Sequence, residues 1–184
     1  MIVYLHGFNS SPSSSKACQL GDYMAGLGRL DEYYCPQLSN SPSEAIAQVE
    51  AALCGKQGSI TLVGSSLGGF YATYLAEKYG WKVVLVNPAV HVHQLLRKAL
   101  GPQANWYTGE RWVLTEAHLA ELAALDVAHI SRPERYLLLA QTGDEVLDYR
   151  DAVSYYVGAH QLIEPGGDHG FNGFERHLLT ILDF

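Results

Sequence analysis

Cysteines are few in this 184-residue sequence, and they form no recognisable motif. Cys18, Cys35 and Cys54 are odd in number and widely spaced, so the sequence contains no CxxC metal or redox site. Free thiols in a compact domain are typical of a reducing compartment. We therefore expect a cytoplasmic protein whose core needs neither disulfides nor a structural metal.

Basic clusters and long apolar runs are also missing. The 12 Lys and Arg residues are outnumbered by 19 Asp and Glu residues, the net charge is −7, and no basic run could follow a phosphate backbone. Apolar residues 1–5 lead directly into His6 and Gly7, a stretch too short for an export signal or a membrane span. We therefore expect no nucleic-acid partner and no membrane partner, and no motif indicates a cofactor.

The length and the apolar pattern predict a single α/β domain over residues 1–184. Short apolar runs alternate with helical stretches, and several runs are apolar at both odd and even positions, as in strands covered on both faces. This pattern predicts an about six-stranded, mainly parallel sheet with helices on both faces. The predicted strands are residues 2–5, 59–63, 82–86, 136–140 and 161–163, with 33–38 as an edge strand that contains Pro36.

Gly64, Ser66 and Gly68 form a GxSxG motif between a predicted strand and a predicted helix. In this context the motif is a nucleophile elbow, in which a strained turn exposes the serine hydroxyl above the sheet. Side chains at the two glycine positions would collide with neighbouring backbone. We therefore predict Ser66 as a nucleophile; Ser65 is the competing hydroxyl, but it lacks flanking glycines.

An acid and a histidine follow in loops after the last two predicted strands. A serine hydroxyl needs an imidazole to take its proton, and the imidazole needs a carboxylate that holds its tautomer. His169 lies in the glycine-rich loop after the last strand, in the chain order expected of this fold. Asp144 follows the preceding strand and is the predicted acid. The competing carboxylates are Glu145, expected at the surface, Asp148, expected to cap a helix, and Asp168, expected to point away from the ring of His169.

The loop after the first strand reads His6-Gly7-Phe8-Asn9. Acyl transfer puts negative charge on an oxygen, and preorganised N–H groups must meet that charge. One donor follows the nucleophile, here Leu67, and the other comes from this loop. We predict Phe8 as the second donor, with Asn9 as the alternative, and expect His6 to brace the loop.

Residues 91–131 are too long for a simple crossover and predict a small helical cap over the site, with helical faces at 95–100 and 119–125. Aromatic residues in this segment have two interpretations: packing between the cap and the body, or an acyl pocket. The candidate pocket residues are Asn9, Trp106, Tyr107, Trp112 and Phe171. His91 and His93 lack an accompanying carboxylate or cysteine cluster, so we predict no metal site.

Together, the motifs YLHGFNSSP, LVGSSLGGFYATYLAEKYG, VNPAV, QTGDEVLDY and GGDHGF resemble the small YqiA-type esterases of bacteria. The resemblance implies an α/β-hydrolase fold, cytoplasmic esterase or thioesterase activity on a small molecule, and a Ser66–Asp144–His169 triad. Relative to a full α/β-hydrolase the chain lacks the first two strands, which makes the fold a trimmed one. The alternatives are an acyltransferase that uses the same triad, and a binding module on a hydrolase fold.

Overall fold

A computed structural model describes all residues from 1 to 184. Its centre is a sheet of six strands in which every neighbouring pair is parallel, in the order β2-β1-β3-β4-β7-β8. These strands are β1 (Ile2–Leu5), β2 (Tyr33–Tyr34), β3 (Thr61–Ser65), β4 (Lys82–Val86), β7 (Tyr136–Gln141) and β8 (His160–Glu164). A separate antiparallel hairpin consists of β5 (Gly101–Ala104) and β6 (Arg111–Leu114). The predicted parallel sheet is confirmed.

Seven helices complete the fold: α1 (Ser15–Gly26), α2 (Pro42–Leu53), α3 (Leu67–Tyr79), α4 (Val92–Leu95), α5 (Glu116–Ala124), α6 (Tyr149–Tyr155) and α7 (Leu178–Asp183). One apolar cluster of 28 buried residues joins one face of the sheet to α2, α3, α5 and α6. A smaller cluster of 14 buried residues joins the other face to α1 and α7. Both sheet faces are therefore covered, which explains the apolar residues at both parities. None of the helices has both the length and the apolar character needed to cross a membrane.

Local signals set several helix ends as expected. Ser41 accepts a hydrogen bond from the N–H of Glu44, and Pro42 occupies the first position of α2. Gly80, with φ of 75°, ends α3 in the left-handed conformation that glycine adopts without strain.

The edge strand β2 is shorter than predicted, with two residues instead of the range 33–38. Beyond Tyr34 the chain leaves the sheet before Pro36, which has no N–H for a strand ladder. The N–H of Leu38 instead donates to Nε2 of His6 at 3.1 Å. Hydrogen bonding to a side chain of the neighbouring loop thus replaces strand pairing.

The segment 91–131 contains more than the predicted helical faces. The first face is the short α4 followed by a 3₁₀ turn over Leu96–Ala99, and the second is α5. The hairpin of β5 and β6 lies between them and was not predicted. Gly101, with φ of 115°, and Pro102 end the helical stretch.

Candidate active site

Four loops at the carboxyl ends of β1, β3, β7 and β8 form the site. In parallel sheets of this kind, ligands bind at that end of the strands. β1 lies beside β3, and β7 lies beside β8. The strand order therefore brings the two predicted N–H donors together, and it brings the predicted acid beside the predicted base.

The elbow at Ser66 is tightly packed. Ser66 has φ of 55°, an unfavourable conformation for a residue with a side chain. A Cβ on Gly68 would lie 1.9 Å from the carbonyl oxygen of Leu5, and a Cβ on Gly64 would lie 2.4 Å from the carbonyl oxygen of Gly68. Only glycine fits at these two positions, as the motif predicts.

Ser66, His169 and Asp144 form a continuous hydrogen-bonded line. Nε2 of His169 lies 3.1 Å from Oγ of Ser66, and Nδ1 of His169 lies 2.8 Å from Oδ2 of Asp144. The Asp144 side chain is only 2% exposed, whereas that of His169 is 23% exposed. The buried carboxylate can orient the imidazole, while the ring remains accessible to a reacting molecule.

The second carboxylate oxygen of Asp144 is also satisfied. Oδ1 accepts the backbone N–H groups of Val146 and Leu147, each at 2.9 Å. Burial alone would raise the pKa of Asp144, but the hydrogen bonds from His169 and from these two N–H groups outweigh it and lower that pKa. Asp144 is therefore held as a carboxylate at neutral pH.

The competing carboxylates have other partners. Asp148 caps α6 by accepting the N–H of Arg150 at 3.0 Å. Asp168 accepts the side-chain amide of Asn172 and does not contact the His169 ring. Glu145 is exposed, as expected, and its carboxylate accepts the backbone N–H of His169 at 3.0 Å. Glu145 therefore helps to hold the loop after β8, residues 165–173, here called the histidine loop.

The N–H groups of Phe8 and Leu67 have no acceptor within the protein. Leu67 is the first residue of α3, so its N–H is free, and the positive end of the helix dipole lies at the same place. Gly7 lies against Ser66, because a Cβ there would be 3.3 Å from Cβ of Ser66. Both predicted donors are thus available to an oxyanion beside Ser66.

His6 braces the loop after β1, as the sequence predicts. Its Nε2 accepts the Leu38 N–H, its Nδ1 lies 3.0 Å from the Gly7 carbonyl oxygen, and the residue is buried. Burial lowers the pKa of His6, so the ring is neutral at physiological pH.

The loop after β1, residues 6–10, is here called the donor loop because it contains the N–H of Phe8. The hairpin is fastened to this loop through Asn9. Asn9 adopts φ of 51°, donates to Oε1 of Gln103 at 3.0 Å and accepts Nε1–H of Trp112 at 2.8 Å. Its carbonyl oxygen accepts the N–H of Trp106 at 2.9 Å, and the ring of Trp112 packs edge-on against Phe8. Asn9 is therefore a connector between the hairpin and the donor loop, a role that the sequence analysis missed.

Two further amides, also missed, hold the histidine loop. The buried Asn87, at the end of β4, donates to the carbonyl oxygens of Asp168 and His169 and accepts the N–H of Gln141. The side chain of Gln141 in turn accepts the N–H of Asn172 and donates to its carbonyl oxygen. Asn87 lies in the VNPAV motif, and this motif was the one feature of the sequence that could have pointed to it.

A cavity of about 650 Å³ opens beside Ser66 and His169. Trp106 and Tyr107 line its mouth, as do Phe8 and Leu67. Three expected pocket residues require correction. Trp112 packs behind Phe8 and does not line this cavity; Asn9, the connector described above, does not line it either. Phe171 is also absent from the pocket, because its ring is buried against Phe174 and His177 in the smaller apolar cluster.

His91 and His93 both face Asp126, with Nδ1–Oδ2 distances of 2.9 and 3.8 Å. This contact joins the start of α4 to the chain that follows α5. No group of three or more His, Cys, Asp or Glu side chains in the protein is arranged to hold a metal ion.

Several solved structures are similar to this chain. Alpha/beta hydrolase domain-containing protein 10 from mouse is 17% identical, with a TM-score of 0.75 over 99% of this chain and 87% of that one. Est1E from Butyrivibrio proteoclasticus is 14% identical, with a TM-score of 0.71 over 100% and 85% of the two chains. The esterase domain of a Rhodothermus marinus protein is 16% identical, with a TM-score of 0.63 over 98% and 82%. These similarities confirm the α/β-hydrolase fold.

One family model matches the entire chain, residues 1–184. The family is described as Uncharacterised protein family UPF0227 and is YqiA-like, which confirms the resemblance seen in the motifs. The chain therefore belongs to the UPF0227 family.

Proposed function

We propose that this protein hydrolyses carboxylic esters or thioesters of small molecules through an acyl-enzyme intermediate on Ser66. The observation that carries the proposal is the hydrogen-bonded line from Asp144 through His169 to Ser66, which ends beside two N–H groups without acceptors. Each component of serine acyl transfer therefore has a residue suited to it.

The reaction follows from the geometry. Oγ of Ser66 attacks the acyl carbon while Nε2 of His169 takes the hydroxyl proton. The carbonyl oxygen becomes an oxyanion and accepts hydrogen bonds from the N–H groups of Phe8 and Leu67. His169 then protonates the departing alcohol or thiol, and the acyl group remains on Ser66. Water, deprotonated by the same imidazole, releases the acid and restores the serine.

The fold comparisons support this chemistry without specifying the substrate. The Rhodothermus marinus domain is described as an esterase domain, but at 16% identity its likeness to this chain is one of fold. Transfer of the acyl group to an alcohol or thiol would use the same triad. Product analysis with competing alcohols distinguishes this transferase alternative from hydrolysis.

The decisive experiment combines labelling with kinetics on a neutral ester such as a nitrophenyl butyrate. A fluorophosphonate probe is expected to modify Ser66 only, identified by peptide mass spectrometry. Ser66→Ala is expected to lower kcat by about 10⁴–10⁶-fold while retaining the wild-type circular dichroism spectrum. Ser65→Ala is the matched control and is expected to remain active. Labelling of Ser65, or an active Ser66→Ala variant, would overturn the proposal.

A further inference from the structure

The cavity beside Ser66 has two unlike walls. One wall is apolar and comes from the chain after β4, with Ala89, Val92, Leu95 and Leu96. A second group of lining residues, here called the polar wall, consists of Tyr4, Ser14, Ser15, Lys16 and Ser65, and the lining also includes Lys98 and Glu145. An acyl chain fits the apolar wall. The triad and its N–H donors make no use of the polar wall.

Lys16 provides the only positive charge of the polar wall. Its Nζ donates to the carbonyl oxygen of Gly170 at 2.8 Å, which leaves two N–H bonds of the ammonium group for other acceptors. No carboxylate oxygen forms an ion pair with it within 4.0 Å, although Asp168, whose Oδ1 has no hydrogen-bond partner, and Asp144 lie near enough to favour its charged form. A half-buried ammonium group without a carboxylate partner is suited to an anion of the ligand.

The other groups of this wall are hydrogen-bond donors as well. Oγ of Ser14 is buried and has no hydrogen-bond partner, although Ser14 occupies the N-cap position of α1. The hydroxyl of Tyr4 lies near those of Ser65 and Ser14, and Tyr4 and Ser65 are only 1% and 6% exposed. The first turn of α1 contains no acidic residue, and its first N–H groups have no acceptor.

We propose that this wall, centred on Lys16 and the Ser14 hydroxyl, binds an anionic group, a carboxylate or a phosphate, on the leaving group of the substrate. The inference rests on the proposed function and specifies its substrate class. His169 protonates the leaving group, and Lys16 is bonded to the residue that directly follows His169. The ammonium group is therefore on the leaving-group side of the nucleophile, and the apolar wall accepts the acyl chain.

Matched esters test the proposal. The butyryl esters of γ-hydroxybutyrate and of γ-hydroxybutyramide share an acyl group and a chain length but differ in charge. We expect wild-type kcat/KM to be about tenfold higher for the carboxylate ester, mainly through a lower KM. The butyryl ester of hydroxypropyl phosphate then distinguishes the two anions: preference for either anion over the amide supports the site and identifies its ligand.

Variants at Lys16 separate binding from support of the loop. Lys16→Met is expected to reduce the carboxylate-to-amide preference to about one, and Lys16→Arg to retain most of it. Ser14→Ala is expected to reduce it by about threefold. An equal loss on both esters would mean that Lys16 only holds the Gly170 carbonyl, and this result would overturn the inference. Hydrolysis of all three esters by the wild type with no preference for either anion over the amide would also overturn it, while leaving the proposed function intact.

The wild-type protein provides a test that needs no variant. Burial lowers the pKa of Lys16 to about 8, so its charged form is present below that pH and is lost above it. The carboxylate-to-amide preference should therefore fall between about pH 7 and pH 9.5. The other charged or titratable groups around the cavity are Asp144, Asp168, Glu145, Lys98, His169, Tyr4 and Tyr107, and the amide ester controls for their effects on turnover. A preference that stays constant over this range contradicts an ammonium-centred site.

Discussion

The strand-end loops that carry the proposed triad and the hairpin of β5 and β6 are built differently. Ser66 is fixed by backbone that leaves no space at Gly64 and Gly68, and the Asp144 side chain is 2% exposed. The hairpin, in contrast, is attached to the donor loop largely by polar contacts, and its Trp106 is 76% exposed. Substitutions in the strand-end loops should therefore reduce kcat strongly, whereas substitutions in the hairpin should change it only modestly.

Among the substitutions that test this comparison, the largest loss of kcat is expected at Asp144. Asp144→Asn should fold normally yet lose about 10³–10⁴-fold in kcat, because the amide favours the wrong imidazole tautomer. Asp148→Asn is the control and should stay within a few fold, since asparagine also caps helices well. Steady-state kinetics on the two variants decide the assignment, and the reverse ranking would move the acid to Asp148.

A smaller loss is expected at Asn87. Asn87→Gly keeps the positive φ of 41° available but removes the amide that bonds to Gln141 and to the histidine loop. We expect kcat to fall by about 10–100-fold, because misplacement of a catalytic group is costly, and stability to fall by about 2 kcal/mol. Asn172→Ala removes the exposed hydrogen bond to Asp168 and serves as control. Kinetics and urea unfolding measure both effects; unchanged kcat in Asn87→Gly would contradict the positioning role.

Weakening the attachment of the hairpin to the donor loop should reduce kcat less than the change at Asn87. Trp112→Phe removes the Nε1–H bond to Asn9 but keeps an aromatic ring against Phe8. We expect kcat to fall by about three- to tenfold with little change in KM, because a misaligned N–H donor weakens transition-state binding. If KM rose instead and kcat did not change, the hairpin would contact the substrate rather than position the donor loop.

The smallest effect is expected at Trp106. Because most of this side chain is in solvent, Trp106→Ala should change kcat/KM by less than about threefold for acyl chains of any length. A series of nitrophenyl esters from acetate to decanoate measures this. A large selective gain for long chains would show instead that Trp106 closes the acyl end of the cavity.

The same contrast explains what the sequence could predict. The turn at Ser66 and the caps at Ser41 and Asp148 depend on residues close together in the chain, so local patterns identify them. His169 lies 103 positions from Ser66, and it could be predicted only because the order of serine, acid and histidine along the chain is characteristic of the resembled fold. Asn87 could not be given its role, because its partners lie 54–82 positions away along the chain. Phe171 was misassigned because it follows the catalytic loop by only two residues, yet its φ of 63° accompanies a ring buried among α1, α7 and the sheet. The hairpin was missed because its strands are short and half exposed.

Two of the bonds that attach the hairpin end on main-chain oxygens of the donor loop. The Trp106 N–H bonds to the Asn9 carbonyl, and the side-chain amide of Asn105 bonds to the Ser10 carbonyl at 2.7 Å. Main-chain acceptors persist whatever side chain the loop carries. A hairpin that retains Asn105 could therefore keep this anchorage while its other residues vary, so that changes of sequence in the hairpin need not disturb the loops that hold Ser66, Asp144 and His169.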